Sequence, residues 1–275
     1  MGRAEFELFL FSTDAAFIPE AVAAGVAGII VDWEQLGKRE RQAAADTQIN
    51  QDTLDDLRRV RACTDARVIC RINESGPQTA REVDDAIEAG ADEILLPMVR
   101  TVTEVDALLA HVNGRCGVGI LIETVAATMR ARELARLPLS RVYVGLNDLA
   151  IERRTPCIFA AIADGTVERV RAAFQVPFGL AGLTLVDRGF PIPCRLLIGE
   201  MARLRCGFSF LRRSFHRDIR GREPALEIPR LLEELHEARG RSADEVVRDR
   251  QALELAIDEW AQSFAGAQGP SAGRM

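Results

Sequence analysis

The chain is predicted to fold as an α/β protein, a (β/α)8 barrel with one additional C-terminal helix. Three observations predict it. Apolar, β-branched runs alternate with helical patterns from end to end. Eight such runs occur, each followed by a helical pattern, which is the element order of the TIM barrel. The first strand-to-helix turn lacks the glycine-rich phosphate loop common in the rival doubly wound sheet. At 275 residues the chain accommodates one such barrel without a second domain.

Strands are expected near 6–12, 28–33, 67–73, 93–98, 118–124, 141–147, 178–184 and 207–212. Helical patterns lie near 15–25, 52–64, 78–89, 102–112, 126–137, 157–174, 193–205 and 228–239. Gly25, Gly90 and Gly240 each stand just past a helical pattern, where a stop is expected. A ninth helix follows at about 243–264, opened by Ser242 and Glu245 in capping-box spacing. Val246, Leu253, Ile257, Trp260 and Phe264 recur along it at helical spacing. That stripe must bury against something, either another subunit or the chain's own barrel. The expected organisation is a barrel over 1–240, the helix over 241–265 and a disordered tail over 266–275.

A net charge of −6 gives no support to nucleic-acid binding. No stretch approaches the ~18 uninterrupted apolar residues of a membrane span. The N-terminus enters a strand pattern by Phe6 with no basic leader, so a cytoplasmic location is expected. The six cysteines are irregularly spaced with no Cys-x-x-Cys pair, and read as reduced core thiols. One lysine, Lys38, stands among 35 basic residues, and no predicted strand ends in one. Imine chemistry needs an amine at the reacting centre, which argues against a Schiff base, direct or through pyridoxal phosphate.

Active sites of such barrels sit at the carboxyl ends of the strands. The run 118–124 delivers Glu123 there, and the run 142–148 delivers Asp148. On neighbouring strands both carboxylates reach one rim, and two adjacent carboxylates repel unless a cation or proton lies between them. A hard divalent cation takes such oxygen ligands and leaves positions open for substrate. Strand two brings Asp32 and Glu34 to the same rim, and strand three brings Arg71. The guanidinium fork suits a carboxylate or enolate oxygen, and it also suits pairing with Asp32 or Glu34. Pro97, Met98 and Asn147 end strands four and six and are expected, with Arg71, to contact substrate. The loop after strand seven, with Asp187, Gly189, Pro191 and Pro193, is no phosphate cradle and reads as a turn into the next helix.

These residues carry a resemblance. Ala24-Gly25-Val26-Ala27-Gly28-Ile29-Ile30-Val31-Asp32-Trp33-Glu34 and Gly90-Ala91-Asp92-Glu93-Ile94-Leu95-Leu96-Pro97-Met98 resemble the strand-two and strand-four signatures of the HpcH/HpaI aldolase and citrate lyase β-subunit family. Ile122-Glu123-Thr124 and Gly145-Leu146-Asn147-Asp148-Leu149 are similar to its two metal-ligand motifs, and Arg71 to its strand-three arginine. The resemblance covers roughly residues 20 to 215. It implies a carbon–carbon lyase or aldolase acting through an enolate on a small 2-keto acid or a hydroxyacyl(-CoA) compound. Glu123 and Asp148 would hold Mg2+ (or Mn2+), and Arg71 would help bind and stabilise the keto-acid part. A closed symmetric homo-oligomer, a trimer or hexamer, is expected.

The chain departs from that pattern in the base half of the site. Gln35 stands where the family's pyruvate aldolases carry a histidine, and glutamine cannot act as a base. His111 and His236 fall late in helical patterns, while His216 lies just past strand eight near the rim. Glu34 or Asp32 is therefore the expected catalytic base, with Arg71. The acyl-CoA lyases lack that histidine too, and carry instead an acid followed by a basic stretch. Here Gln35 replaces the acid, and Lys38, Arg39 and Arg41 follow in a long polar segment, 35–51, of the kind that forms lids. The alternatives are an acyl-thioester hydrolase on the same metal site, or an inactive relative serving as a binding or assembly subunit.

Overall fold

The computed structural model describes residues 6–36, 52–211 and 213–267, with side chains to Ser263. Lys38, Arg39 and Arg41, most of the 35–51 segment and the tail from 268 lie outside them.

Eight parallel strands close in sequence order: β1 Glu7–Phe11, β2 Gly28–Asp32, β3 Arg67–Arg71, β4 Glu93–Leu96, β5 Gly117–Ile122, β6 Arg141–Val144, β7 Phe178–Leu183 and β8 Phe208–Leu211. The strands alternate with period two, and each face has its own partner. Phe9, Phe11, Ile69, Leu121, Tyr143 and Phe210 belong to a cluster filling the barrel. Leu8, Leu10, Ile29, Val31, Val68 and Cys70 belong to the larger cluster under the helices. Tyr143 stacks on Phe210 with ring centroids 3.9 Å apart.

Charge is buried at both ends of this plug. At the amino end Arg141 bonds Glu93 at 2.7 Å, approaches Glu7 at 3.4 Å, and lies over the Phe9 ring at 4.3 Å. At the carboxyl end Arg71 lies 5.2 Å from the Phe11 ring centroid. All six cysteines are free, four of them buried.

Several helices differ from expectation. The 126–137 pattern is two short helices, Val125–Met129 and Ala131–Leu134, and the 157–174 pattern divides into Ala160–Ala163 and Thr166–Ala173. Gly165, at φ 74°, makes the second break. Two short helices were not anticipated, Leu146–Glu152 and Arg213–Asp218. The first corrects the reading of 142–148 as one strand: β6 stops at Val144, and Asp148 lies in the first turn of the helix that follows.

The C-terminal helix, Ala243–Ala267, opens with the expected reciprocal bonds between Ser242 and Glu245. Leu253 and Ile257 are buried, and the helix packs on Cys194–Arg203, the helix that follows β7. Arg250 bonds Glu200 at 2.7 Å and the Ile162 carbonyl at 3.0 Å, tying the helix to the side of its own barrel. Near its far end Trp260 meets Phe190, from the loop after β7, edge to face at 5.1 Å.

Candidate active site

Register builds the first part of the site. β2 and β3 pair so that Asp32 lies beside Arg71 at their carboxyl ends. The guanidinium grips the carboxylate as a fork, Nε to Oδ1 at 2.8 Å and Nη2 to Oδ2 at 2.6 Å. Its remaining nitrogen, Nη1, lies 3.0 Å from Glu34 Oε2. All three side chains are buried, so the charged guanidinium is flanked by carboxylates on two sides. Burial works against its charge, but Asp32 and then Glu34 outweigh that cost and hold its pKa above the ordinary value.

The chain leaving Glu34 is pinned. Asn73 Oδ1 accepts the backbone N–H groups of Gln35 and Leu36, each at 2.8 Å, and its amide donates to Glu82 at 2.7 Å. Gln35 itself is exposed. The chain returns at Asp52, whose Oδ2 accepts the Asp32 backbone N–H at 2.9 Å, while Trp33 Nε1 donates to the Thr53 carbonyl at 3.1 Å. Thr53 then caps helix Leu54–Cys63 in a reciprocal box with Asp56. Burial pushes the Asp52 carboxyl up to about 6; the Asp32 N–H opposes the rise and the Asp32 charge adds to it.

The acid pair forms the second part. β5 and β6 pair with Ile122 beside Val144, so Glu123 and the turn at Gly145 emerge together. A Cβ at residue 145 would stand 2.2 Å from Glu123 Oε2, so only glycine lets the carboxylate lie across the end of β6. Glu123 Oε1 accepts the Met98 N–H at 2.9 Å, presented by a backbone turned to φ 54° at Met98. Thr124 Oγ1 donates to Val99 O at 2.6 Å and accepts from Ala127 N–H, capping the next helix and fixing the end of β5. Burial, then the charges of Asp148 and Glu34, raise the Glu123 pKa, with Arg71 pulling the other way.

A cavity of about 920 Å3 opens at this rim. Asp32, Asp52, Arg71, Asn147 and Asp148 line it from β2, β3 and β6 and the segments that follow them. Thr184, Phe190, Arg213, His216, Arg217 and Arg220 line it from β7, β8 and the segments after them. His216 Nε2 donates to the Phe11 carbonyl at 2.6 Å, which leaves Nδ1 as its other ring nitrogen. Glu34 and Glu123 lie buried behind the wall; Pro97 and Met98 do not line the cavity, and Met98 enters only by orienting Glu123. His111 bonds Asp84 and the Ala80 carbonyl on the helix surface. The loop after β7, read from sequence as a turn, lines the cavity through Phe190, Pro191 and Ile192. Asp52 was missed by sequence reasoning; its one signal was its place just before the Thr53–Asp56 capping box. Among the described residues no group of three or more His, Cys, Asp or Glu side chains is arranged to hold a metal ion.

A parallel eight-stranded barrel with buried carboxylates and an arginine gathered at its carboxyl rim has the architecture of a barrel enzyme. Residues 5–157, more than half of the chain, match the family model of HpcH/HpaI aldolase/citrate lyase, and the chain belongs to that family. The matched span contains Asp32, Glu34, Arg71, Glu123 and Asp148 and ends before β7. No curated protein matches the sequence. Structures of tryptophan synthase from M. tuberculosis, among them an open form and a ligand-free form, are similar at TM-score 0.54 and 16% identity, covering 86% of this chain and 93% of theirs. At that identity the likeness shows the shared barrel fold. No described helix is long and apolar enough to cross a membrane.

Proposed function

We propose that this protein is a divalent-metal-dependent carbon–carbon lyase, an aldolase acting through an enolate on a small 2-keto acid or a hydroxyacyl compound. One observation carries the reading: Glu123 at the end of β5 and Asp148 in the first helical turn after β6 stand at one rim, with the Asp148 charge opposing ionisation of the buried Glu123, beside an arginine that stays charged. Mutual repulsion between buried carboxylates is what a bound cation relieves, so the donor set fits Mg2+ or Mn2+ held by these two oxygen donors. When bound, such an ion supplies Lewis-acid polarisation of a carbonyl oxygen.

The chain's own residues supply the rest. Arg71 places a fixed positive charge where an enolate oxygen develops, and the Asp32 fork keeps its plane from turning. Gly145 and the Met98 N–H hold Glu123 in position before substrate arrives, so no reorganisation is needed during reaction. Arg213, Arg217 and Arg220 also line the cavity and favour an anionic substrate.

The test is turnover of 4-hydroxy-2-oxo acids and hydroxyacyl-CoA thioesters with Mg2+ or Mn2+. Keto-acid release that stops on adding EDTA and is lost in Asp148→Asn is the expected result. Release that persists in EDTA contradicts the proposal, and free CoA without a carbon fragment selects thioester hydrolysis instead.

A further inference from the structure

Cleaving a carbon–carbon bond next to a hydroxyl requires a group to take the hydroxyl proton. Asp32 and Glu34, the acids expected in that role, are both engaged with Arg71. Both oxygens of Asp32 sit in the Arg71 fork, and Oδ1 also receives the Glu34 N–H at 3.3 Å. Glu34 is buried against Arg71 Nη1. A carboxylate whose charge is spent on a guanidinium is a weak base. The other acids on the cavity are also engaged. Asp14 Oδ1 accepts the Ala16 and Phe17 N–H groups, and Asp148 belongs to the acid pair.

We infer that Asp52 is the general base of this site, an assignment that rests on the lyase reading above. It lines the cavity beside Asp32, Arg71 and Asp148. Oδ2 is anchored by the Asp32 N–H, while Oδ1 receives no hydrogen bond from the described residues and is free to meet a substrate hydroxyl. The adjacent Trp33–Thr53 bond and the Thr53–Asp56 box hold Thr53 in place, so the carboxylate is positioned from the helix that follows it as well as by the Asp32 N–H. Its environment suits the role: burial, then the Asp32 and Asp56 charges, disfavour ionisation, the Asp32 N–H and Arg71 favour it, and the balance leaves a stronger base than an ordinary aspartate.

The step balances. Asp52 Oδ1 takes the hydroxyl proton, and the freed oxygen pair becomes the second bond of a carbonyl. The carbon–carbon bond breaks, and its electron pair stays with the other fragment as an enolate. That carbon then takes the proton back from Asp52, restoring the carboxylate.

Asp52→Asn is the decisive variant, because the amide oxygen can still accept the Asp32 N–H while the base is lost. Two reactions are compared in full-length protein with Mg2+: cleavage of a 4-hydroxy-2-oxo acid, and decarboxylation of oxaloacetate. The second also forms an enolate but has no hydroxyl proton to remove. Cleavage kcat is expected to fall about 10^2–10^4-fold with KM little changed, decarboxylation is expected to stay within a few-fold, and Asp52→Glu should recover part of the loss. The parent's cleavage should rise with pH on its acidic side, and the residual activity of Asp52→Asn should lack that limb. Cleavage at the parental rate in Asp52→Asn overturns the base assignment alone, as does an equal loss of both reactions. A parent that performs neither reaction overturns the lyase reading, and the base assignment falls with it.

Discussion

Replacing Glu123 by glutamine separates the two demands placed on that side chain, stability without metal and affinity for it. Glu123 is 3% exposed, and burial, Asp148 and Glu34 raise its pKa above the ordinary 4.5. The folded protein therefore keeps a proton that the unfolded chain gives up near pH 4.5. That stability is fully present below pH 4.5 and is withdrawn as pH climbs towards the raised folded value. The slope is at most ~1.4 kcal/mol per pH unit, so about two units higher the cost approaches ~2.7 kcal/mol. Glutamine carries no charge, and its Oε1 can keep the Met98 N–H. In EDTA near pH 6.5 Glu123→Gln is expected to exceed the parent by about 1–2.5 kcal/mol, roughly 2–8 °C in Tm. The gap should close towards pH 4.5. Saturating Mg2+ should reverse the order, since a ligand at ~100 Kd adds ~2.7 kcal/mol to the parent and nothing to a variant that cannot hold it. The assay is thermal unfolding across pH with EDTA or Mg2+. A Tm difference that does not grow with pH, or an equal gain from Mg2+ in both proteins, refutes the reasoning.

Three further outcomes follow from the same geometry. Arg71→Met leaves Asp32 and Glu34 buried without their counter-charge and should cost about 3–5 kcal/mol in urea unfolding; a loss under ~1 kcal/mol would show that the acids find other partners. Gly145→Ala places a methyl where Glu123 Oε2 now lies, so calorimetric titration should show Mg2+ binding weakened at least about tenfold in a folded protein, and undiminished binding would remove Glu123 from the ligand set. Leu253→Ala should cost about 2–5 kcal/mol because the side chain is fully buried under the C-terminal helix; an unchanged unfolding midpoint would show that the helix is not docked on the barrel.

The barrel itself was legible in the chain, because a strand buried on both faces is written locally as a run of β-branched and aromatic residues. Expected and observed strands overlap throughout, from β1 at 7–11 to β8 at 208–211. The rim positions of Arg71 and Glu123 were legible for a related reason, since a charged residue closing an apolar run surfaces at a strand end, while Asp148 reaches the rim from the first turn of the helix after β6. The helix at 146–152 was not legible, since Leu146 and Leu149 continue the apolar run of β6 and a short apolar run does not announce its period. Tertiary structure alone decided how the rim charges are divided. Asp32 reads in sequence either as a base or as a partner of Arg71, and the β2–β3 register decides by setting it in the arginine's fork. Asp52 reads like the residue before a helix cap, yet a bond to a backbone amide 20 positions away brings it to the cavity. Strand identity depends on neighbours a few residues apart, whereas the charge state of a carboxylate depends on whatever lies within a few ångströms, and only the closed barrel brings those groups together.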